Sequence, residues 1–149
     1  MTKPPIQRIL AFVELADAEP NIDYAVSLSK QLDAEIILFA VIDTPAMVRL
    51  IGSRDERPKG PLTDAVVRDA QKILQRYVDL AAQDGVRARG HAIVSEEVPE
   101  QILKEAMLQH VDLIVVHSHG RSGFLKALFG STVEEVLAAA PCPVLVARA

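Results

Sequence analysis

One cysteine, no tryptophan, two tyrosines and four phenylalanines are found in 149 residues. With Cys142 alone, no intrachain disulfide can form, and a reducing compartment is the natural setting. Cys142 lies between Pro141 and Pro143 at the start of an apolar run, the place of an inert packing thiol. The formal net charge is −4 and no basic block is present. With so few rings to stack on bases, that balance excludes a nucleic-acid platform. No apolar run approaches the roughly 18 residues that span a bilayer. The start, Met-Thr-Lys-Pro-Pro, enters a strand without the apolar stretch of a signal peptide. The expected compartment is the cytoplasm, and neither nucleic acid nor membrane is an expected partner.

Familiar chemical signatures are missing as well. The chain has neither a Gly-x4-Gly-Lys-Ser/Thr loop nor a Gly-x-Gly-x-x-Gly turn. Gly120-Arg-Ser-Gly123 is not the Gly-x-Ser-x-Gly elbow of hydrolases. Strand 1 runs into Glu14-Leu-Ala-Asp17 rather than a Ser-Gly-Gly loop, and no His-x-Gly-His turn occurs.

What remains is 50% hydrophobic and 24% charged, the composition of one globular domain over residues 1–149. Apolar runs at Ile9–Val13, Ile36–Ile42, Leu113–Val116 and Val144–Ala147 read as strands, and Val86–Val94, less apolar and alternating in places, reads as a strand at a sheet edge. Helical stripes lie between them: Ile22, Ala25, Val26, Ser29 and Leu32; then Val66, Val67, Ala70, Ile73, Leu74, Tyr77, Leu80 and Ala81. A third stripe is Ile102, Leu103, Ala106 and Met107, with Pro99 in its first turn. The fourth is Val133, Val136, Leu137 and Ala140. Thr63 is the expected N-cap of the second helix and Gly85 its stop. Ser131 with Glu134 makes a capping box for the fourth. Residues 43–62, with Pro45, Gly52, Pro58, Gly60 and Pro61, read as a long mobile loop.

Strand–helix alternation predicts an α/β doubly wound domain, a five-stranded parallel sheet in the order 3-2-1-4-5 with helices on both faces. Its switch point falls between strands 1 and 4, where ligands bind beyond the carboxyl ends. Glu14 ends strand 1 there, and His117–Gly120 follows strand 4.

Asp112–Thr132 carries the functional signal. A strand enters a Gly/His/Ser turn, and Gly130-Ser131-Thr132 opens a helix. Glycines let backbone amides approach a ligand, and a helix N-terminus suits phosphate. The plainer alternative is that Gly120 and Gly130 only shape turns. His117 and His119, two apart and near Glu14, could form part of a zinc site. No further His or Cys cluster supports it, and no nucleophile–base–orienter set is visible, so neither a metal site nor a catalytic residue is expected. Arg121 and Lys126 could pair with phosphate oxygens or form a solvated rim. The apolar strand Val144–Ala147 would be a bare edge, and pairing with a second copy would cover it.

Together these residues resemble the universal stress proteins. The likeness runs through Ile9-Leu-Ala-Phe-Val, Ala34-Glu-Ile-Ile-Leu-Phe-Ala-Val-Ile-Asp43, and Asp112-Leu-Ile-Val-Val into Ser118-His-Gly-Arg. Gly130-Ser131 and Pro141-Cys-Pro-Val-Leu-Val complete it. The nucleotide-binding branch of that family carries Gly-x2-Gly-x9-Gly-Ser/Thr. Nine residues separate Gly120 from Gly130, so Gly120 takes the second glycine and His117 stands at the first. Glu14 stands where the family commonly has Asp, and these two positions depart from its pattern. Carried across, the resemblance implies adenine against Ala11 and Val41 and ribose near Glu14. It implies phosphates on Gly120, Gly130, Ser131 and Thr132, with His117 and His119 beside them. The implied ligand is ATP, or AMP or ADP, with Mg²⁺ as a companion. The implied function is a stress-response regulator with slow or absent turnover, a homodimer through Val144–Ala147. The alternative is an interaction module of the same fold that binds no nucleotide.

Overall fold

Short strands that are apolar at every position must be covered on both faces, and that requirement shapes this chain. The computed structural model describes residues 6–15, 22–43, 61–118 and 131–148, with backbone alone at 43, 61, 62, 118, 131, 132 and 148. Its strands are β1 (Arg8–Phe12), β2 (Glu35–Asp43), β3 (Ala88–Ser95), β4 (Leu113–Ser118) and β5 (Val144–Arg148). The helices are α1 (Asp23–Leu32), α2 (Pro61–Gln83), α3 (Val98–Leu108) and α4 (Ser131–Ala139). All strand pairs are parallel, in the order β3-β2-β1-β4-β5. The expected topology is the observed one.

Period-two alternation divides the core into two layers. Ile9, Ala11, Val13, Ile36, Leu38, Leu113 and Val115 pack under α1 and α2 with Ala25, Ala70, Leu74 and Ala81. Leu10, Phe12, Ile37, Phe39, Ile114 and Val116 face the other way, against Ile102 and Ala106 of α3 and Val133 and Val136 of α4. Gly90 of β3 lets α2 come close, since a Cβ there would stand 2.9 Å from Leu74 Cβ.

Several expectations are corrected in detail. Leu32, Leu80, Met107 and Leu137 are exposed rather than inward. At about 100° per residue, Leu80 lies roughly 120° round α2 from Leu74, and Met107 roughly 140° round α3 from Ile102. Leu32 ends α1 at the margin of its stripe, and Leu137 belongs to the helix beside the β5 edge. Thr63 is not a cap, because α2 already begins at Pro61. Asp43 belongs to β2, so the expected loop shrinks to 44–60, which lies outside the described residues. Ser131 is the first residue of α4, and the side-chain half of its expected capping box also lies outside them.

The helix stops share one device. Gly85 takes φ +82 after α2, Asp33 takes φ 53 after α1, and His110 takes φ 52 after α3. Each donates its N–H three residues back, to Ala82, Lys30 and Met107, while the following N–H reaches Ala81, Ser29 and Ala106. That is the Schellman pairing, which satisfies carbonyls left over at a helix end.

Candidate functional site

Pairing of Ile9, Leu10 and Ala11 with Leu113, Ile114 and Val115 sets the carboxyl ends of β1 and β4 side by side. The chain leaves β1 for α1 on one face and β4 for α4 on the other. That divergence is the switch point of a doubly wound sheet, the place where such folds bind ligands in a crevice beyond the strand ends.

Register places the expected site residues. Phe12 pairs with Phe39 and Val13 N–H donates to the Phe39 carbonyl at 2.8 Å, so Glu14 falls level with Val41. Glu14 and Val41 are both half-buried. One row nearer the sheet centre, Val13 and His117 fall level, and His117 pairs with Ala147 of β5. His117 enters the α1/α2 face with Val115, whereas Glu14 and Val41 fall level with each other on the α3/α4 face. Ala11 stands apart from them: it is fully buried in the α1/α2 layer, whereas Val41 packs against the α3/α4 layer. Ala11 pairs with Leu38, three residues before Val41, or about 10 Å along the strand. Ser131 and Thr132 occupy the first turn of α4, placed by backbone alone. His119, Gly120 and Gly130 lie outside the described residues, as do Arg121 and Lys126.

His117 is chemically the most unusual of these positions. Its neighbours in the same row, Val13 and Ala147, are apolar and buried. Its Nε2 is buried with no hydrogen-bond partner among the described residues. Burial pushes the imidazole below the ordinary histidine value, so it is neutral at pH 7. A neutral ring nitrogen can donate or accept according to tautomer. Thr63 Oγ1, in the first turn of α2, is the other buried side-chain atom left without a partner among the described residues. The sequence offered no sign of this beyond a hydroxyl near a helix start.

A second polar group runs from the amino end of the sheet to the middle of β3 and went unnoticed in the sequence. Glu35 Oε1 accepts from Arg89 Nη2 at 2.8 Å and sits 3.4 Å from Arg8 Nε. Buried Glu105 on α3 holds Gln109 Nε2 at 3.2 Å and His91 Nδ1 at 3.1 Å. Asp112 Oδ2 accepts from the N–H groups of Gln7 and Arg8, tying the start of β1 to that of β4. These contacts pair with one another and leave the crevice end untouched. Among the described residues no cluster of three His, Cys, Asp or Glu side chains is arranged to hold a metal ion, and no helix is long and apolar enough to cross a membrane.

Comparison with known proteins agrees with this architecture. The model of the universal stress protein family matches residues 5–148. The universal stress protein YxiE of Bacillus subtilis is 31% identical over 132 residues, covering 85% of this chain and 88% of that protein. Universal stress protein UspA from Lactobacillus plantarum superposes with TM-score 0.72 at 22% identity, over 98% of this chain and 100% of its own. A universal stress protein from Archaeoglobus fulgidus, solved in complex with dAMP, superposes with TM-score 0.64 at 18% identity, over 94% and 96%. The matched span runs from before β1 to the last residue of β5, and the chain belongs to the universal stress protein family.

Proposed function

We propose that this protein is a stress-response regulator that binds an adenine nucleotide in the β1/β4 crevice and acts as a homodimer through β5. The observation that carries the reading is the level placement of Glu14 and Val41 at the carboxyl end of the sheet, on the face covered by α3 and α4, with His117 ending β4 one row away. Orphaned His117 Nε2 supports a polar ligand there. The dAMP complex of the Archaeoglobus fulgidus relative supports the ligand class. ATP, AMP and ADP all fit this reading, with Mg²⁺ as companion. The phosphates would rest on Gly120, Gly130, Ser131 and Thr132, with His119 beside them, adenine near Val41, and ribose near Glu14. Nucleotide acts as a signal rather than a substrate, and the protein works in the cytoplasm.

β5 supports the dimer. It is an edge strand with β4 on one side only, its Val144, Leu145 and Val146 are half-buried, and Leu137 of the neighbouring helix is exposed. Thermal melting with AMP, ADP and ATP, with and without Mg²⁺, tests the ligand, and light scattering of the same samples tests the dimer. Stability rises with concentration for a ligand of the native state, by about 2.7 kcal/mol at a hundred times Kd. A flat response to all three nucleotides overturns the nucleotide reading. It leaves the second one, an interaction module of this fold, which the bulk of the His117 side chain at the crevice favours.

A further inference from the structure

We infer that the open edge of β3 is a docking site for an extended acidic segment of another protein, which joins the sheet there as a further strand.

Among the described residues β3 has a neighbour on one side only, β2. Ile36 pairs with Ala88, and its N–H donates to the Arg87 carbonyl at 2.9 Å. Backbone groups along a strand alternate in direction, so Arg87, Arg89, His91 and Ile93 turn theirs to β2. The N–H and C=O groups of Ala88, Gly90, Ala92 and Val94 then point to the open side, a template for an incoming strand.

Charge selects the occupant. Arg89 reaches Gln109 of α3 at 3.2 Å and His91 reaches Glu105, so their row lies on the α3 face, and alternation adds Arg87 to it. All three are exposed. The positive charge is only partly answered, because Glu35 serves both Arg8 and Arg89. Both contacts of Arg89 use Nη2, which leaves its other N–H groups for a ligand. Arg87 meets the Asp33 carbonyl at 3.4 Å and no carboxylate among the described residues. In a chain of net charge −4 this row is a local reversal. The other face is apolar: half-buried Val78 of α2 would stand 3.6 Å from a Cβ at Gly90. An incoming strand thus meets arginine on one face and methyl groups on the other, which suits alternating acidic and apolar residues. A second copy of this edge would set arginine against arginine. Uncharged Val144–Val146 of β5 suits self-pairing far better, so the two edges of the sheet call for different partners.

The test follows amide hydrogen exchange of the full ¹⁵N-labelled chain, free and with a blocked Thr-Glu-Val-Glu-Val-Glu-Thr peptide. In the free protein the amides of Ala88, Gly90, Ala92 and Val94 are expected to exchange fast, and those of Arg89, His91 and Ile93 slowly. Saturating peptide slows the first set. Lysine in place of glutamate is expected to weaken binding about tenfold, as two reversed cross-strand charge pairs would. Arg87→Glu, an exposed change that leaves Tm unaltered, is expected to weaken the acidic peptide about fivefold. Proline in place of valine keeps the charge but disfavours the strand, so that peptide leaves the edge amides fast. Edge amides already slow in the free protein, or no binding at millimolar acidic peptide, overturns the inference. Equal binding of the lysine peptide, unchanged affinity in Arg87→Glu, or equal protection by the proline peptide overturns it too.

Discussion

His117 carries a cost in the folded protein that pH makes measurable. Burial lowers its pKa from the ordinary histidine value of about 6.5. Between that value and the lowered one, the unfolded chain takes up a proton that the folded chain resists. Stability is therefore undiminished above about pH 6.5 and is lost as pH falls through the window below it. His117→Leu removes this dependence. Urea unfolding of both proteins at pH 7 and pH 5.5 is expected to show the larger drop in the native chain, and parallel drops would contradict the assignment. Cys142 is shifted the other way, with burial and the nearby Asp112 charge raising the thiol and the Ile114 backbone hydrogen bond partly offsetting them. Slow reaction with an aromatic disulfide reagent at pH 7 is the expected result, as an inert packing thiol requires. At this scale the sequence was only partly readable. Chain order alone puts Glu14 and His117 at strand ends, whereas Val41 enters only through the family resemblance. The orphaned nitrogen could not, because it depends on which row of the sheet the imidazole enters and what stands beside it.

Elements were far more legible than their margins. Continuous apolar runs identified four of the strands, since a buried parallel strand has no polar face to show, and alternation identified β3 at the sheet edge. Of the three left-handed helix stops, only Gly85 was legible, because there the residue type itself announces the turn. Asp33 and His110 adopt the same conformation with no such sign, and packing of the following strand imposes it on them. His110 is exposed, and its backbone rather than its side chain closes α3. His110→Gly removes the Cβ penalty of the left-handed region and should stabilise the fold by about 1 kcal/mol. Thermal or urea unfolding checks it, and a destabilised variant would mean that the imidazole contributes more than the strain costs. Leu80 and Met107 illustrate the opposite limit. An apolar residue next to a stripe reads as part of it, yet one helical step of about 100°, from Ala81 to Leu80 or from Ala106 to Met107, is enough to turn it to solvent.

Across the whole molecule, two polar systems sit at opposite ends of one sheet. The amino end is closed by paired groups, with Arg8 and Arg89 on Glu35 and Asp112 on the backbone of Gln7 and Arg8, while Glu105 holds Gln109 and the mid-strand His91. The carboxyl end holds the two unpaired buried atoms of the described residues, at Thr63 and His117. This polarity follows from the topology 3-2-1-4-5, which was readable because right-handed crossovers leave few other arrangements for such a chain. Whether the carboxyl end receives a nucleotide is tested most directly by titrating the ¹⁵N-labelled protein with AMP and following its backbone amides. The account predicts saturable shifts centred on Val13, Glu14, Val41, His117 and the first turn of α4, with Glu35, Arg89 and Gln109 unmoved. An unchanged spectrum at millimolar AMP, or shifts centred on the amino end, would contradict it.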